Sequence, residues 1–443
     1  MAELSTTTTT SAERDRIFRR VVLQIVPFIT LVYVIAWVDR VNVGFAKLTM
    51  LEDLHWSEAV YGAGAGIFFL GYFLFEVPSN LLLEKIGAPK TIMRIALGWG
   101  VVSILMAWVS APWHFYVLRF LQGAFEAGLH PGIIVYLTYW LPTHRRGKAV
   151  AICMSASPLA LLIGSPIAGY IMKYTDGLLG HADWQWLFVI EGAPSILLGA
   201  LAYFLLTDRP RNATWLTDDE RAHVEHELQA EAAELGGREH SLRGALRLRS
   251  TWVLILTLFC IICGNATLSF YGPSLVAAAG FDDLATIGWI MSAVFAFGWL
   301  GMIVNGWWSD RRHEARWHTA CAAAVGASGL VLVALAQHAG STVGVIAGLA
   351  IAAAGTMGSI PVFWSIPTRF LSGTALAGGV ALINSCANLA GYFSPQFLGA
   401  MKSASDSYSL GLVIIACVEL VAVVLIFTFI SKEPTTERTD RTP

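Results

Sequence analysis

Long apolar runs separated by short polar segments dominate the chain. About 20 apolar residues suffice to cross a bilayer as a helix. Twelve stretches qualify: 21–46, 59–83, 91–111, 113–140, 146–172, 186–207, 251–279, 284–308, 318–338, 341–365, 373–402 and 408–431. They are too long and too uniformly apolar for the ~10-residue alternating strands of a membrane barrel, so the pattern predicts an all-α integral membrane protein. One polar interval divides the spans into two sets of six. The expected organisation is a cytoplasmic tail 1–20, a six-helix bundle 21–207, a linker 208–250, a second bundle 251–431 and a tail 432–443. In the linker, Thr217 and Glu220 have capping-box spacing for a helix through about Glu234, and Arg243, Arg247 and Arg249 form a basic run.

Charge sharpens the picture. Only 14% of residues are charged and 56% are apolar, against roughly 25% charged in soluble domains. With a cytoplasmic N-terminus and alternating spans, the 29 Lys and Arg fall almost wholly inside. Lys47, Lys173 and Lys402 lie outside, and Arg40 and Arg119 lie within the membrane. The positive-inside rule then places both termini in the cytoplasm, of an inner or plasma membrane. A Thr-rich start, a charged stretch and a full-length first span argue against a cleaved signal peptide. Cys260 and Cys263 have a two-residue gap but no nearby His, and read as packing residues. No nucleotide loop, metal cluster or nucleophile constellation is present, so the sequence predicts no enzyme, no cofactor, no metal site and no nucleic-acid partner.

Four charges stand inside spans: Asp39 and Arg40 in the first, Arg119 and Glu126 in the fourth. Each costs roughly 2.5–3.5 kcal/mol at mid-bilayer, and such residues are kept where they pair across a polar cavity. Arg119 and Glu126 are two helical turns apart, about 10 Å along the axis. They therefore share a face with Gln122 and Gly123 between them and His130 a turn beyond. Counting from the expected span ends sets Arg119 level with Asp39 and Arg40. An anionic substrate needs a fixed cation, and arginine grips a carboxylate bidentately. The expectation is that Arg40 binds a substrate carboxylate while Arg119 pairs with Asp39 or Glu126 in one state. Tyr72, Asn384 or Asn388, and Trp364 with Trp37 and Ser365, are candidates for the pocket wall. Glu76 and Glu191 are expected to brace helix ends, and His130 either packs or relays protons.

The halves repeat. Asn80-Leu-Leu-Leu-Glu84-Lys85-Ile-Gly87 follows the second span, and Gly306-Trp-Trp-Ser-Asp310-Arg311 follows the eighth. Matching acid-base pairs in matching loops are the trace of parallel repeats about an axis along the membrane normal. They are expected to form a cytoplasmic gate in which an acid bonds the end of a neighbouring helix.

Four stretches carry a family resemblance: Asp39-Arg40-Val-Asn42-Val-Gly44, Gly71-Tyr72-Phe-Leu-Phe-Glu76-Val-Pro78-Ser-Asn80, Arg119-Phe-Leu-Gln-Gly123-Ala-Phe-Glu126-Ala-Gly128 and Trp186-Leu-Phe-Val-Ile-Glu191-Gly192. Together they resemble the major facilitator superfamily, and within it the anion:cation symporter family of organic-acid carriers, over essentially the whole chain. The resemblance implies the major facilitator fold, two pseudo-symmetric six-helix bundles. It also implies proton-coupled uptake of a small organic anion such as tartrate or a related hydroxy or aromatic acid, by a monomer in the lipid bilayer. That family couples transport to protons through carboxylates of the first and fourth helices, which implies those roles for Asp39 and Glu126. The alternative is a proton-driven efflux antiporter, for which Gly164-Ser-Pro166-Ile-Ala-Gly169 is a partial match to a fifth-helix motif.

Overall fold

The computed structural model describes residues 11–235, 249–367 and 374–429. The Thr-rich start, Arg243 and Arg247, and the C-terminal tail lie outside the described residues. The first ten α-helices are α1 Ser11–Val41, α2 Val43–Asp53, α3 Glu58–Ile86, α4 Ala88–Leu105, α5 Pro112–Glu126, α6 Leu129–Thr138, α7 Thr143–Met154, α8 Ala156–Thr175, α9 Asp183–Leu205 and α10 Asp218–Leu235. After the linker come α11 Arg249–Ala277, α12 Leu284–Arg312, α13 Ala315–His338, α14 Thr342–Phe363, α15 Thr374–Asn388, α16 Ala390–Ser405 and α17 Ser409–Phe429.

Among the described residues, 10 helices are long and apolar enough to cross a membrane by themselves. The fourth and eleventh expected spans are each broken in two, into α5 with α6 and α15 with α16, and complete the twelve crossings. The fourth breaks because Gly128 takes φ +89°, a left-handed conformation that Gly adopts without penalty. Helix starts follow local chemistry. Ser57 accepts from Val60 N at 3.4 Å to cap α3, Glu314 accepts from Trp317 N at 2.9 Å to cap α13, and Pro112 opens α5. The linker helix α10 begins with the expected capping box: Thr217 N donates to Glu220 Oε2 (2.9 Å), and Glu220 N to Thr217 Oγ1 (3.2 Å).

The chain divides into two compact units. One comprises Met1–Glu239, Ser269–Ala296 and Gly391–Ser407; the other comprises His240–Leu268, Phe297–Ala390 and Tyr408–Pro443. In the first unit, the ends of α11, α12 and α16 that belong to it pack on the first, second and fifth spans. Tyr61 OH donates to Phe270 O (2.8 Å), Tyr271 OH to Pro395 O (3.0 Å) and Ser292 Oγ to Leu162 O (2.7 Å). In the second unit, Arg316 donates to the terminal carbonyls Ile426 O and Phe427 O of α17 (3.3 and 2.6 Å), where a cation complements the helix dipole. Glu419 is fully buried there and accepts from Thr356 Oγ1 at 2.8 Å.

Candidate functional site

The site in the first unit starts from a close helix crossing. A Cβ on Gly71 of α3 would collide with Phe120 O, and one on Gly123 of α5 would collide with Phe68 O. Two glycines thus let the backbones of α3 and α5 touch, which brings Phe68 and Tyr72 beside Arg119 and Glu126. Into this crossing α1 projects Arg40. Its Nε lies 3.0 Å from Glu126 Oε1, and Nη2 makes a second, shorter contact with the same oxygen. The pair is nearly closed off, the Arg40 side chain being 13% exposed and that of Glu126 3%. The rings of Trp37, Phe68 and Tyr72 surround the guanidinium, with centroids 4.5, 5.3 and 5.3 Å from its carbon. Aromatic faces attract a cation that has lost its water, so Arg40 is held in place even without an anion.

Asp39 turns the other way. Its Oδ2 accepts from Trp99 Nε1 (2.8 Å) and Ser195 Oγ (2.6 Å), and its Oδ1 from Ser103 Oγ (3.0 Å) and Asn42 Nδ2 (3.4 Å). These neutral donors come from α4, α9 and the junction between α1 and α2. Neighbours in sequence lie about 100° apart around a helix, so Asp39 and Arg40 face different partners. Glu191 does not brace a helix end: it is buried within α9 against Asp39 and Asn42. No signal in the sequence linked Trp99, Ser103 and Ser195 to Asp39, although Trp99 and Ser103 share a face of α4 at four-residue spacing.

Arg119 is fully buried. It donates to Gln122 Oε1 (2.7 Å) and Gly64 O (3.4 Å) and lies 4.9 Å from the Phe68 ring, while its Nη2 has no hydrogen-bond partner among the described residues. It pairs with neither acid in this structure. The expected register, with Arg119 level with Arg40, is shifted because the first span runs on through α2 to Asp53. Asp39 stands fourteen residues before that end, and Glu126 stands fourteen after Pro112. Glu126 and not Arg119 is therefore level with the first-span pair. His130 is off the Arg119–Glu126 face because the helix breaks between them, and it packs on the Tyr33 ring at 5.9 Å.

Tyr72 is buried at the site. Trp364 and Asn384 belong to the second unit, where both are half-buried and Trp364 packs on Phe363. At the first expected gate loop, Asn80 Nδ2 donates to Glu76 O (2.8 Å), while Glu84 and Lys85 are exposed and without an ion pair among the described residues. The acid that bonds the neighbouring helix there is Asp208, which accepts from Ala88 N at 2.8 Å beside Gly87, itself at φ +86°. In the second unit, Gly306, Asp310 and Arg311 lie on α12 itself, which continues to Arg312, so the turn falls at His313 (φ +53°). Lys47, expected in an outer loop, is buried in α2. Its Nζ lies 2.7 Å from Glu58 Oε2 and 4.3 and 5.0 Å from the Tyr271 and Tyr61 rings.

Comparison with known proteins identifies the family. The family model of the Major Facilitator Superfamily matches residues 29–395. A relative from Agrobacterium vitis named "Putative tartrate transporter" is 43% identical over 95% of this chain and 92% of its own. A "Quinolone resistance transporter" from Acinetobacter baumannii is 36% identical over 95% of this chain and 96% of its own. In three dimensions, the inward open conformation of the xylose transporter XylE from E. coli superimposes with a TM-score of 0.76. It covers 94% of this chain and 98% of that one, at 15% identity, a likeness of fold alone. These proteins are transporters rather than enzymes. The chain belongs to the major facilitator superfamily and is a multi-pass membrane transporter.

Proposed function

We propose that the chain takes up a small organic carboxylate, such as tartrate or a related hydroxy or aromatic acid, together with protons, by alternating access. It does so as a monomer in the inner membrane with both termini cytoplasmic. The observation that carries this reading is the Arg40–Glu126 pair enclosed by Trp37, Phe68 and Tyr72. A substrate carboxylate and the Glu126 carboxylate compete for one guanidinium. Protonation of Glu126 releases Arg40 to the substrate, and loss of that proton on the other side restores the pair and displaces the anion. Competition for a single cation thus makes proton and anion travel in the same direction. Arg119, with an unused Nη2 beside the same Phe68 ring, offers a second fixed charge. Asp39, in its cage of neutral donors, is the second proton-coupling carboxylate, and the relative named for tartrate supports the substrate class. Within the second unit, Trp364 and Asn384 are the residues proposed to contact substrate, and the loop residues Asn80, Glu84, Lys85, Gly87, Gly306, Asp310 and Arg311 are proposed to serve the gate.

The relative named for quinolone resistance favours a second reading, proton-driven efflux. Proteoliposomes decide between them. Tartrate, a sugar acid, phthalate and 4-hydroxyphenylacetate are offered under an inward proton gradient, with and without an ionophore that collapses it. Ionophore-sensitive accumulation of one acid is the expected result. Uptake of none, with proton-driven export of a lipophilic cation, establishes efflux instead.

A further inference from the structure

The first two turns of α1 that carry arginine have no part in the site above. Arg16, Arg19, Arg20, Leu23 and Gln24 line a cavity of about 520 Å³, with Glu220 of α10 on its far side. Arg20 is tied to Glu220 at 3.1 Å, whereas Arg16 and Arg19 make no ion pair among the described residues. Asp15 is engaged elsewhere, 2.7 Å from Arg145, so Glu220 is the one acid lining the cavity among the described residues. Three guanidinium groups facing one carboxylate leave the cavity cationic.

The same helix face continues into the membrane. Arg16, Arg20, Leu23, Pro27 and Leu31 recur at three- and four-residue spacing, which keeps them on one side of the helix, and all are exposed. Leu23 is 63% exposed and Leu31 48%. In the orientation proposed above, the arginines stand at the depth of the cytoplasmic headgroups and the apolar stripe runs along the acyl chains. A diffusible anion would use the arginines alone. A phospholipid would use both the arginines and the stripe that leads away from them, and clusters of basic residues at this depth attract anionic lipid.

We propose that Arg16, Arg19 and Arg20, with Gln24 beside them, form a binding site for the headgroup of one anionic phospholipid whose chains lie along Leu23, Pro27 and Leu31. The phosphodiester oxygens accept from Arg16 and Arg19 in the forked geometry that guanidinium provides, and Arg20 is shared with Glu220. The lipid thereby bridges the first span to the linker helix.

Native mass spectrometry of the full chain, released from mixed micelles, tests this with three probes: phosphatidylglycerol, phosphatidylcholine and inorganic phosphate. The wild type is expected to retain one phosphatidylglycerol in preference to phosphatidylcholine. Arg16→Gln/Arg19→Gln should weaken that retention about thirty-fold, at about 1 kcal/mol for each basic residue near an anionic surface and 1.4 kcal/mol per tenfold. Arg16→Lys/Arg19→Lys keeps the charge and should retain most of it. Arg311→Gln/Arg312→Gln, an equal loss of charge at exposed positions of α12, should leave it unchanged. Equal retention of the two lipids, equal loss in the α12 variant, or occupancy by inorganic phosphate that displaces the lipid would overturn the proposal. None of these readouts depends on which substrate is carried.

Discussion

Glu126→Gln isolates the competition for Arg40. The substitution keeps the shape and one oxygen acceptor but removes the charge that opposes the guanidinium at 3.0 Å. A hydrogen bond to a charged group contributes about 1.5–3 kcal/mol; with Arg40 still ionised, the bond in the variant stands at the lower end of that range and the wild-type ion pair at the upper end. Arg40 is therefore held less tightly by roughly 1–1.5 kcal/mol in the variant, which corresponds to about tenfold. In the wild type an incoming carboxylate must displace Glu126 when it is ionised but not when it is protonated. Wild-type affinity for the transported acid should accordingly rise as pH falls. Glu126→Gln should bind about tenfold more tightly than the wild type at alkaline pH, and nearly independently of pH. Proteoliposomes carrying the variant should exchange labelled for unlabelled acid yet fail to accumulate it against a gradient under proton drive. Equilibrium binding of the radiolabelled acid at two pH values, with exchange and uptake measured side by side, gives all three quantities. Wild-type accumulation by Glu126→Gln, or a variant affinity that keeps the wild-type pH dependence, would refute the competition.

Ser195→Ala removes the 2.6 Å bond to Asp39 from a buried cage, so the thermal unfolding midpoint should fall by the equivalent of about 1.5–3 kcal/mol; an unchanged midpoint would show that the bond contributes little. Gly128→Ala forces a side chain into φ +89° with its Cβ 2.5 Å from Ser79 Oγ. It should cost at least about 1–2 kcal/mol from the backbone alone, and adding Ser79→Gly should recover only the steric part. Lys47→Met removes the buried cation 2.7 Å from the Glu58 carboxylate and should destabilise more than Lys47→Met/Glu58→Gln does, because removing one partner of a largely buried pair is worse than removing both. Chemical denaturation of the single and double variants measures that difference.

The spans were legible because each is a long apolar run, and a lipid environment leaves helix as the way such a run satisfies its backbone. Their ends were less so. The first span outruns its apolar run through α2, since Lys47 and Thr49 are buried or half-buried by tertiary packing that hydropathy does not register. That extension moved the register by two turns, so Glu126 rather than Arg119 lies level with Asp39 and Arg40, and it is Arg40 rather than Arg119 that pairs with Glu126. Asp39, Arg40, Arg119 and Glu126 stood out because charge is rare in such runs. Trp99, Ser103 and Ser195 did not, because tryptophan and serine are common in membrane helices and the contacts span 60 to 156 residues of chain. Asp208 escaped notice for the same reason: it follows the sixth span but caps the helix that begins at Ala88, 120 residues earlier.

Because the side chains of Asp39 and Arg40 hydrogen-bond to different sets of residues, the roles proposed for the two are separable in evolution. The rings of Trp37, Phe68 and Tyr72 around Arg40 can be replaced without touching any side chain that hydrogen-bonds the Asp39 carboxylate. Trp99, Ser103 and Ser195 can change around Asp39 without altering the rings that surround Arg40. A lineage built this way can alter the surroundings of the Arg40–Glu126 pair while inheriting the cage around Asp39 intact.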